Sequence, residues 1–348
     1  MVRSKTALTV GADSGPASAP ISTVEETAPE SVTGTSEVVA MPPEPPKGGP
    51  RLLLWRAGGV LKTLRPHQWV KNVFVLAPVV FAKEIFDVTL LTHATAAFFV
   101  FCLLAGAVYA MNDLADIEAD RQHPVKRHRP IPSGRVPAPV ARGLVAVLVV
   151  GSLAWAYVLH PAFALISAIY LIQNVAYSFK LKHVAYLDVS FIAAGFVLRV
   201  MGGGYATRTP VSNYLLVCTA LLALFLGFGK RRHELSAAAG KASLQRAALE
   251  QYSENGLDLA LGMTGAATVV TYVVYTIDPR TEALFNTKYL WVSAAFVLLG
   301  VGRFLQLVKS RPKSESPTQE MLRDGPFVGI VLLWVVLVMW VVYRLQPG

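Results

Sequence analysis

The chain has 348 residues, of which 53% are apolar and only 16% are charged, and its mean hydropathy is +0.47. Soluble domains average about 25% charged residues, so this composition is typical of a membrane protein. Only two cysteines are present, both inside apolar runs, which excludes a disulfide framework and a cysteine-based zinc site. The formal net charge of +10 favours contact with anionic lipids or anionic substrates.

The first fifty residues contain three basic and six acidic residues and no Trp, Tyr or Phe. A segment of this composition cannot bury enough apolar surface to fold, so residues 1–50 are predicted to form a disordered acidic tail. The basic start is not followed by the apolar core of a signal peptide. Residues 51–348 are predicted to form the membrane domain. Within it, residues 51–64 mix basic and apolar side chains, which fits an interfacial helix or a simple lead-in to the first span.

Nine apolar runs are each long enough to cross about 30 Å of hydrocarbon, which takes roughly 17–25 residues of α-helix. They predict an all-α polytopic bundle with nine transmembrane helices, because backbone groups in lipid must be satisfied within each segment. Pro78 and Lys83 interrupt the first run. The predicted spans lie near residues 69–86, 92–111, 138–158, 161–178, 186–206, 211–229, 258–277, 289–307 and 326–343.

Lys and Arg are distributed unequally between the two sets of connecting segments. If the N-terminus is inside, the inner segments contain 23 basic residues and the outer segments contain five. Positive side chains are retained on the cytoplasmic side of a membrane, so the N-terminus is predicted to be cytoplasmic and the C-terminus external. We therefore expect a multi-pass protein of a bacterial inner membrane, with its polar motifs facing the cytoplasm.

An acidic motif follows the second predicted span. If the helix continues through it, Asn112, Asp116 and Asp120 share one face at spacing i, i+4 and i+8, and Asp113 borders that face. Oxygen ligands on one face suit Mg²⁺, which typically takes one or two carboxylates together with phosphate oxygens of a substrate. The alternative is a solvated helix end, but carboxylates this close to a span are costly and usually functional. These four residues are the predicted metal site.

A basic loop follows the acidic motif and contains Lys126, Arg127 and Arg129. Carboxylates followed by cations suit a metal-bound pyrophosphate, because the metal lies between carboxylate and phosphate and the cations complete the neutralisation. Some of these charges could serve only the positive-inside pattern. Lys71 and Asn72 begin the first predicted span, where they could contact a lipid phosphate. Lys71 could instead be only a positive-inside residue.

The pattern Asn-Asp-x-x-Asp-x-x-x-Asp over residues 112–120 resembles the UbiA superfamily of intramembrane prenyltransferases. Further stretches are similar to its phosphoribosyltransferase branch, whose members act on decaprenyl phosphate. These stretches are residues 64–72, 120–131, 177–189, 195–199 and 229–235, together with Tyr252. The resemblance covers about residues 60–345.

The resemblance implies a Mg²⁺-dependent enzyme that transfers 5-phosphoribosyl from phosphoribosyl pyrophosphate to a polyprenyl phosphate, releases pyrophosphate and serves the synthesis of cell-wall arabinan precursors. The expected partners are these two substrates and the bilayer, without nucleic acid, and a homo-oligomer is left open. The implied catalytic residues are Asp116, Asp120, Lys182 and Asp188. The implied substrate-binding residues are Lys71, Asn72, Lys126, Arg127, Arg129, Tyr177, Lys182, Asp188, Lys230 and Arg231.

Several side chains keep more than one role at this level. Lys230 and Arg231 could act as counter-charges to a 5-phosphate. Asp188 could pair with a neighbouring lysine, bind ribose hydroxyls or hold a second metal. Arg199 lies in the middle of a predicted span, where its charge needs a partner in the bundle or a substrate. The run Gly202–Gly204 indicates close helix packing rather than a phosphate loop.

Two other functions stay open. An aromatic prenyltransferase of the UbiA type would have the same fold and metal, but such enzymes carry a second Asp-x-x-x-Asp motif. Here Asp188 is followed four residues later by Ile192, so only one carboxylate remains. A transporter or lipid-binding scaffold is the non-enzyme alternative. Against it, most ionisable residues lie at the ends of the predicted helices, not at the midplane where transporter sites are found.

Overall fold

The computed structural model describes residue 46 and residues 48–179, 181–238, 249–310, 321 and 323–344. These described residues form helices and connecting turns, with no β-strand among them. Eight of the helices are long and apolar enough to cross a membrane. The predicted all-α polytopic bundle is therefore confirmed.

The helices are numbered in chain order. The α-helices are α1 (Gly49–Thr63), α2 (Ala77–Phe81), α3 (Val88–Ala115), α4 (Ile117–Gln122), α5 (Ala138–Leu159), α6 (Pro161–Phe179), α7 (Leu187–Thr207), α8 (Asn213–Ala238), α9 (Glu254–Ile277), α10 (Pro279–Phe285), α11 (Ala294–Ser310) and α12 (Gly325–Arg344). Shorter 3₁₀ helices occupy Pro66–Leu76, Lys126–His128, Leu181–His183, Leu249–Gln251 and Leu290–Ser293. The candidate spans lie on α3, α5, α6, α7, α8, α9, α11 and α12.

The predicted span at residues 69–86 does not form one long helix. It consists of a 3₁₀ helix, here termed the 66–76 segment, followed by the five-residue α2. Pro78 has no backbone N–H and cannot donate the bond that would continue an α-helix. Arg65 and Lys83, on either side, have φ angles of 51° and 64°, in the left-handed region that interrupts helices. Nine transmembrane helices are therefore not confirmed in the described part of the chain, where eight qualify.

Two apolar clusters form the core of the bundle. The first joins α3, α6, α7 and the 66–76 segment around Phe101 and Phe163. The second joins α7, α8, α9 and α11 around Phe225 and Phe304. Many Val, Leu and Ile side chains remain exposed on the outer faces of the long helices, as expected for helices that contact lipid.

A glycine allows the 66–76 segment to lie directly against α7. A Cβ on Gly203 would be 1.9 Å from the backbone oxygen of Val75, so no other residue fits without a shift of the backbone. The predicted close packing at the run Gly202–Gly204 is therefore confirmed. This contact brings Asn72, on the same segment, beside the middle of α7.

Helix α1 contains the stretch predicted to lie in the membrane interface, and several of its leucines are exposed. Arg135 holds α1 to the loop that follows the acidic motif. Its Nε donates a hydrogen bond to the backbone oxygen of Trp55 at 2.7 Å, and its guanidinium lies 5.2 Å from the centre of the Trp55 ring. The interfacial position of α1 stays a prediction. Residues 1–45 of the predicted tail lie outside the described residues.

Candidate active site

The acidic motif lies where α3 ends. Helix α3 stops just before Asp116, and the short α4 begins just after it. The condition for placing Asn112, Asp116 and Asp120 on one face, a helix that continues through the motif, is therefore not met. Asp113 and Asp120 are buried, whereas Asn112 is half-buried and Asp116 is exposed. The break separates the motif into two buried carboxylates and one that faces outward.

Arg129 joins the two buried carboxylates. Its Nη1 donates to Asp113 Oδ1 at 3.2 Å and to Asp120 Oδ2 at 2.8 Å. Arg65 Nη2 donates to the same oxygen of Asp113 at 2.8 Å, and Lys126 Nζ lies 3.8 Å from Asp120 Oδ1. The predicted acidic and basic stretches thus come together, and the cations of the chain itself neutralise the carboxylates.

The donor atoms of this cluster suit a hard cation. Within the described residues no group of three or more His, Cys, Asp or Glu side chains converges on a point. Asp113 and Asp120, however, each place an oxygen within 3.2 Å of one nitrogen, Arg129 Nη1. Carboxylate oxygens are the ligands that Mg²⁺ prefers. Asp113 and Asp120 are therefore the buried residues that could hold Mg²⁺ here.

The remaining predicted residues of this region are less completely defined. Arg127 and Tyr177 are half-buried and both contact other residues of the protein. The backbone of Lys182 lies in the 3₁₀ turn after α6, and its side chain is outside the described structure. The roles of these three residues in the site stay predictions.

Asp188 is fully buried near the start of α7, and both of its oxygens are engaged. Oδ2 accepts from Arg231 Nε at 2.6 Å, and Oδ1 accepts from the Tyr252 hydroxyl at 2.5 Å and from the Val189 N–H at 2.8 Å. Burial and then the hydrogen bond to Asp188 raise the pKa of Tyr252 above its ordinary value, so the phenol keeps its proton. These contacts tie α7 to α8 and to the turn before α9.

The two predicted counter-charges on α8 have different surroundings. Arg231 is buried between the carboxylates of Asp188 and Glu234. Lys230 is half-buried, with its Nζ 3.8 Å from Glu234 Oε1. Arg231 is therefore neutralised in place. Lys230 is close enough to Lys71 for its charge to act there, as described next.

Lys71 lies among other basic side chains. Its side chain is exposed to solvent. Desolvation, and then the positive charges of Lys230, Arg199 and Arg65, lower the pKa of Lys71 to about 8. We term these four residues the basic recess. Such a concentration of positive charge suits an anion.

Asn72 is buried beside the basic recess, and its polar contacts are with protein. It accepts a hydrogen bond from Arg199 Nε at 2.7 Å and donates one to Cys102 Sγ at 3.1 Å. Sequence reasoning did not assign Arg65 or Arg199 to the site. The available signals were the position of Arg65 in the stretch 64–72 and the charge of Arg199 within a span. Their partners are 48 and 127 residues away in the chain, which the sequence does not reveal.

Comparison with known proteins identifies the family. Residues 73–323 match the UbiA prenyltransferase family. The chain belongs to this family. It is 36% identical over 281 residues to the decaprenyl-phosphate phosphoribosyltransferase of Mycobacterium tuberculosis, which covers 80% of this chain and 92% of that protein. The protein of the same name from Corynebacterium glutamicum is 32% identical over 291 residues, which covers 82% of this chain and 87% of that protein.

Solved structures of UbiA homologues have the same fold. One from Archaeoglobus fulgidus, bound to GPP and Mg²⁺, has a TM-score of 0.59 and 20% identity, and covers 82% of this chain and 99% of that chain. A digeranylgeranylglyceryl phosphate synthase structure has a TM-score of 0.59 and 17% identity, and covers 81% of this chain and 98% of that chain. The predicted UbiA-like architecture is thereby confirmed.

As a member of the UbiA family the chain is an integral membrane transferase. The family match contains the acidic motif, the basic loop, Asp188 and the pair Lys230–Arg231. It begins one residue after Asn72, so Arg65 and Lys71 lie outside it. The basic recess is thus built partly from residues that precede the matched region.

Proposed function

We propose that this UbiA family member transfers 5-phosphoribosyl from phosphoribosyl pyrophosphate to a polyprenyl phosphate and releases pyrophosphate. The observation that carries the proposal is its 32–38% identity, over 66–82% of the chain, to proteins named decaprenyl-phosphate phosphoribosyltransferase. The chemistry of the site supports it. Paired carboxylates suit a metal–pyrophosphate complex, and a separate basic recess suits another phosphate group.

This reaction needs no nucleophile from the protein. The phosphate of the acceptor carries about −1.5 to −2 charge at neutral pH, so its oxygen can attack C1 of the ribose directly. A C1–O bond to the acceptor forms, the C1–O bond to pyrophosphate breaks, and the configuration at C1 inverts. The protein holds the two substrates in line and stabilises the charge that develops on the leaving pyrophosphate. Lys126, Arg127 and Arg129 are the side chains proposed for the second task.

Mg²⁺ is the proposed cofactor. Asp113 and Asp120 supply the two buried oxygens that converge on Arg129, and Asn112 and Asp116 lie at the adjoining end of α3. When bound, the ion would stabilise negative charge on the pyrophosphate. A UbiA homologue of the same fold was solved with Mg²⁺, which supports this assignment. Of the proposed catalytic residues, Asp116 and Asp120 would act through this ion, and Asp188 would position Arg231.

The proposed orientation follows from the distribution of positive charge. With 23 basic residues on the inner segments and five on the outer ones, the N-terminus and the acidic motif face the cytoplasm of a bacterial inner membrane. The product would be a polyprenyl-phosphate-linked ribose 5-phosphate for cell-wall arabinan synthesis. Membrane anchoring of the acceptor and solubility of the donor fit a site at the inner surface.

Prenyl transfer from a prenyl diphosphate to an aromatic or other acceptor is the second candidate. UbiA homologues of the same fold were solved with DMAPP or GPP and Mg²⁺, which favours it. Against it, the position four residues after Asp188 is Ile192, so a second pair of carboxylates is missing. The one carboxylate at that site is already engaged by Arg231 and Tyr252.

The test is a comparison of donors on the protein purified in detergent. One arm contains phosphoribosyl pyrophosphate, Mg²⁺ and polyprenyl phosphates of several chain lengths, and the other contains prenyl diphosphates with aromatic acceptors. We expect a phosphoribosylated lipid by mass spectrometry, and an equal amount of pyrophosphate, in the first arm only. The Asp120→Asn variant is the inactive control. Turnover confined to the second arm would reject phosphoribosyl transfer and leave the family assignment intact.

A further inference from the structure

Arg199 is a buried cation without an acidic partner among the described residues. Only 8% of its surface is exposed, although it lies on the membrane-spanning helix α7. Its guanidinium donates to Asn72 Oδ1 at 2.7 Å, to the Gly195 backbone oxygen at 2.8 Å and to the Tyr170 hydroxyl at 2.8 Å. All three acceptors are neutral. A guanidinium has five N–H groups, so two remain without an acceptor among the described residues.

Burying a charge in this way is costly unless something compensates it. The rings of Tyr170 and Phe196, whose centres lie 4.8 Å and 5.3 Å from the guanidinium carbon, offset part of that cost. Arg231, which is equally buried in the same protein, is instead held by the carboxylates of Asp188 and Glu234. Among the described residues Arg199 therefore has no carboxylate that compensates its charge, whereas Arg231 has two.

Lys71 supplies a second uncompensated charge beside Arg199. In the described part of the chain its ammonium forms no hydrogen bond or ion pair. Asn72 connects the two cations. Lys71 is its neighbour in the chain, and its side-chain oxygen accepts a hydrogen bond from Arg199. Their charges also act on each other, since Arg199 contributes to the low pKa of Lys71. Lys71 is exposed to solvent, so an anion can reach its ammonium.

We propose that Arg199 and Lys71 together bind a phosphate monoester dianion. A charge of about −1.5 to −2 matches two cations, and its tetrahedral oxygens can accept the two spare N–H groups of Arg199 and the ammonium of Lys71. Both substrates of the proposed function carry such a group, namely the polyprenyl phosphate and the 5-phosphate of the donor. The choice of these two ligands rests on the proposed function. The binding of a phosphate monoester by Arg199 and Lys71 does not depend on it.

The test measures binding without turnover. The detergent-purified full chain is titrated by calorimetry, without Mg²⁺, with farnesyl phosphate and separately with ribose 5-phosphate, and with farnesol and ribose as neutral analogues. We expect one phosphate ester to bind and its neutral analogue not to bind. Arg199→Gln should weaken that binding by about ten- to a hundred-fold, because a charge-assisted hydrogen bond is lost. Weakening of the lipid ester identifies the acceptor site, and weakening of the sugar ester identifies the donor site.

Two further variants separate binding from folding. Asn72→Asp places a carboxylate where Arg199 Nε now donates at 2.7 Å, so it should keep or raise the thermal midpoint while abolishing phosphate binding. Arg303→Gln removes an arginine that is paired with Asp324, so it should lower the midpoint without changing phosphate affinity. If Arg199→Gln does not fold, the phosphate affinity of Asn72→Asp alone tests the proposal. Wild-type affinity in both Arg199→Gln and Asn72→Asp, or no binding of either ester to the wild type, would overturn the proposal.

The same measurements distinguish this inference from the proposed function. Binding of a phosphate ester through Arg199 without transfer of phosphoribosyl would support this binding site and reject the proposed function. Transfer of phosphoribosyl by the wild type, together with unchanged affinity of Arg199→Gln for both esters, would support the proposed function and reject this binding site.

Discussion

At the residue scale, the four predicted metal ligands are unequal. Asp113 and Asp120 are buried and bound to Arg129, whereas Asp116 is exposed and forms no ion pair among the described residues. A structural role and a metal-binding role therefore predict different outcomes at Asp116 and Asp120. Asn variants at Asp116 and Asp120 can therefore be compared with each other as controls.

Asp116→Asn and Asp120→Asn should both abolish turnover, because each removes a charged ligand from the metal. Loss of a supporting residue around a metal typically costs about 10–100-fold, so we expect a larger loss than that for a ligand. Asp120→Asn should also lower the thermal midpoint, since Arg129 loses an ion pair, and Asp116→Asn should not. Initial rates against Mg²⁺ concentration and thermal unfolding in detergent measure both effects. Normal rates in both variants would reject the metal site.

Substitution of Lys71 gives a prediction on pH. The pKa of Lys71 is about 8, so its ammonium loses its proton as the pH rises through that value. Affinity for the phosphate-bearing ligand should therefore fall above pH 8 in the wild type. Arginine stays charged throughout, so Lys71→Arg should keep its affinity between pH 7 and about 9. Calorimetric titrations across this range test the prediction, with Lys83→Arg as the control. An identical pH profile in Lys71→Arg and the wild type would contradict it.

Lys230 and Arg231 are neighbours in sequence with opposite expected effects. Arg231→Ala leaves Asp188 buried and unpaired, and breaking a buried ion pair costs about 3–5 kcal/mol, so the variant should be strongly destabilised. Lys230→Ala should keep the thermal midpoint and raise the KM of the phosphoribosyl donor by about ten-fold or more. Rates with both substrates varied, together with thermal unfolding, separate the two. A stable Arg231→Ala protein with only a raised KM would assign Arg231 to substrate binding.

At the scale of elements, hydropathy was enough to predict eight spans because length and apolar content set them. It failed at residues 69–86, where the apolar content is similar but Pro78 removes a donor and left-handed residues interrupt the helix at both ends. The end of α3 at Asp116 could not be predicted either, because the local sequence has neither Pro nor Gly. There the helix breaks where Asp113 and Asp120 both bind Arg129, which is a tertiary contact.

Within the site, the predictable part is local in sequence. The acidic motif and the basic loop that contains Arg129 are adjacent in sequence, so spacing predicted that both belong to one site, but not that Arg129 binds Asp113 and Asp120. The set of Asp188, Arg231 and Tyr252 could not be assembled in the same way, because its members lie 43 and 64 residues apart on three different elements. Their residue types indicated polar groups near the predicted spans, but the packing of the helices determines which of these groups form hydrogen bonds.

The contact between the 66–76 segment and α7 gives a prediction at this scale. In Gly203→Ala the added Cβ would meet the backbone oxygen of Val75 at 1.9 Å, so the segment must move and carry Asn72 away from Arg199. We expect a destabilisation of about 1–3 kcal/mol, as for other overpacked sites, and weaker substrate binding. Gly151→Ala, on α5, has nothing within 4 Å of the new Cβ and is the control. Equal thermal midpoints for the two variants would show that the contact is not tight.

At the scale of the whole molecule, the ion pairs of the site collect at one end of the bundle. The end of α3, the short α4, the start of α7 and the end of α8 all contribute members. The opposite end holds a cavity of about 420 Å³, lined by residues of α2, α8 and α10 such as Tyr214 and Asp278. None of the predicted site residues lines that cavity. The ion pairs of the candidate site therefore lie at the end of the bundle that carries the acidic motif, away from this cavity.

Deletion of residues 1–45 should leave activity within a few-fold of the wild type. The composition of this segment predicts a disordered tail, and all of the predicted site residues lie beyond it. Initial rates of the truncated and full-length proteins, matched for expression in membranes, provide the measurement. A well-expressed truncation without activity would give the tail a direct role.

The shared guanidinium of Arg129 has a consequence for the order of binding. A metal ion that arrives alone must displace Arg129 from Asp113 and Asp120 and leave it without an anion. A metal ion that arrives with pyrophosphate brings new oxygens to which the displaced guanidinium can turn. Metal and donor affinity would therefore be linked, each raising the other by the same factor. If Mg²⁺ binds at Asp113 and Asp120 as proposed, free Mg²⁺ would bind more weakly than the complete metal–donor complex.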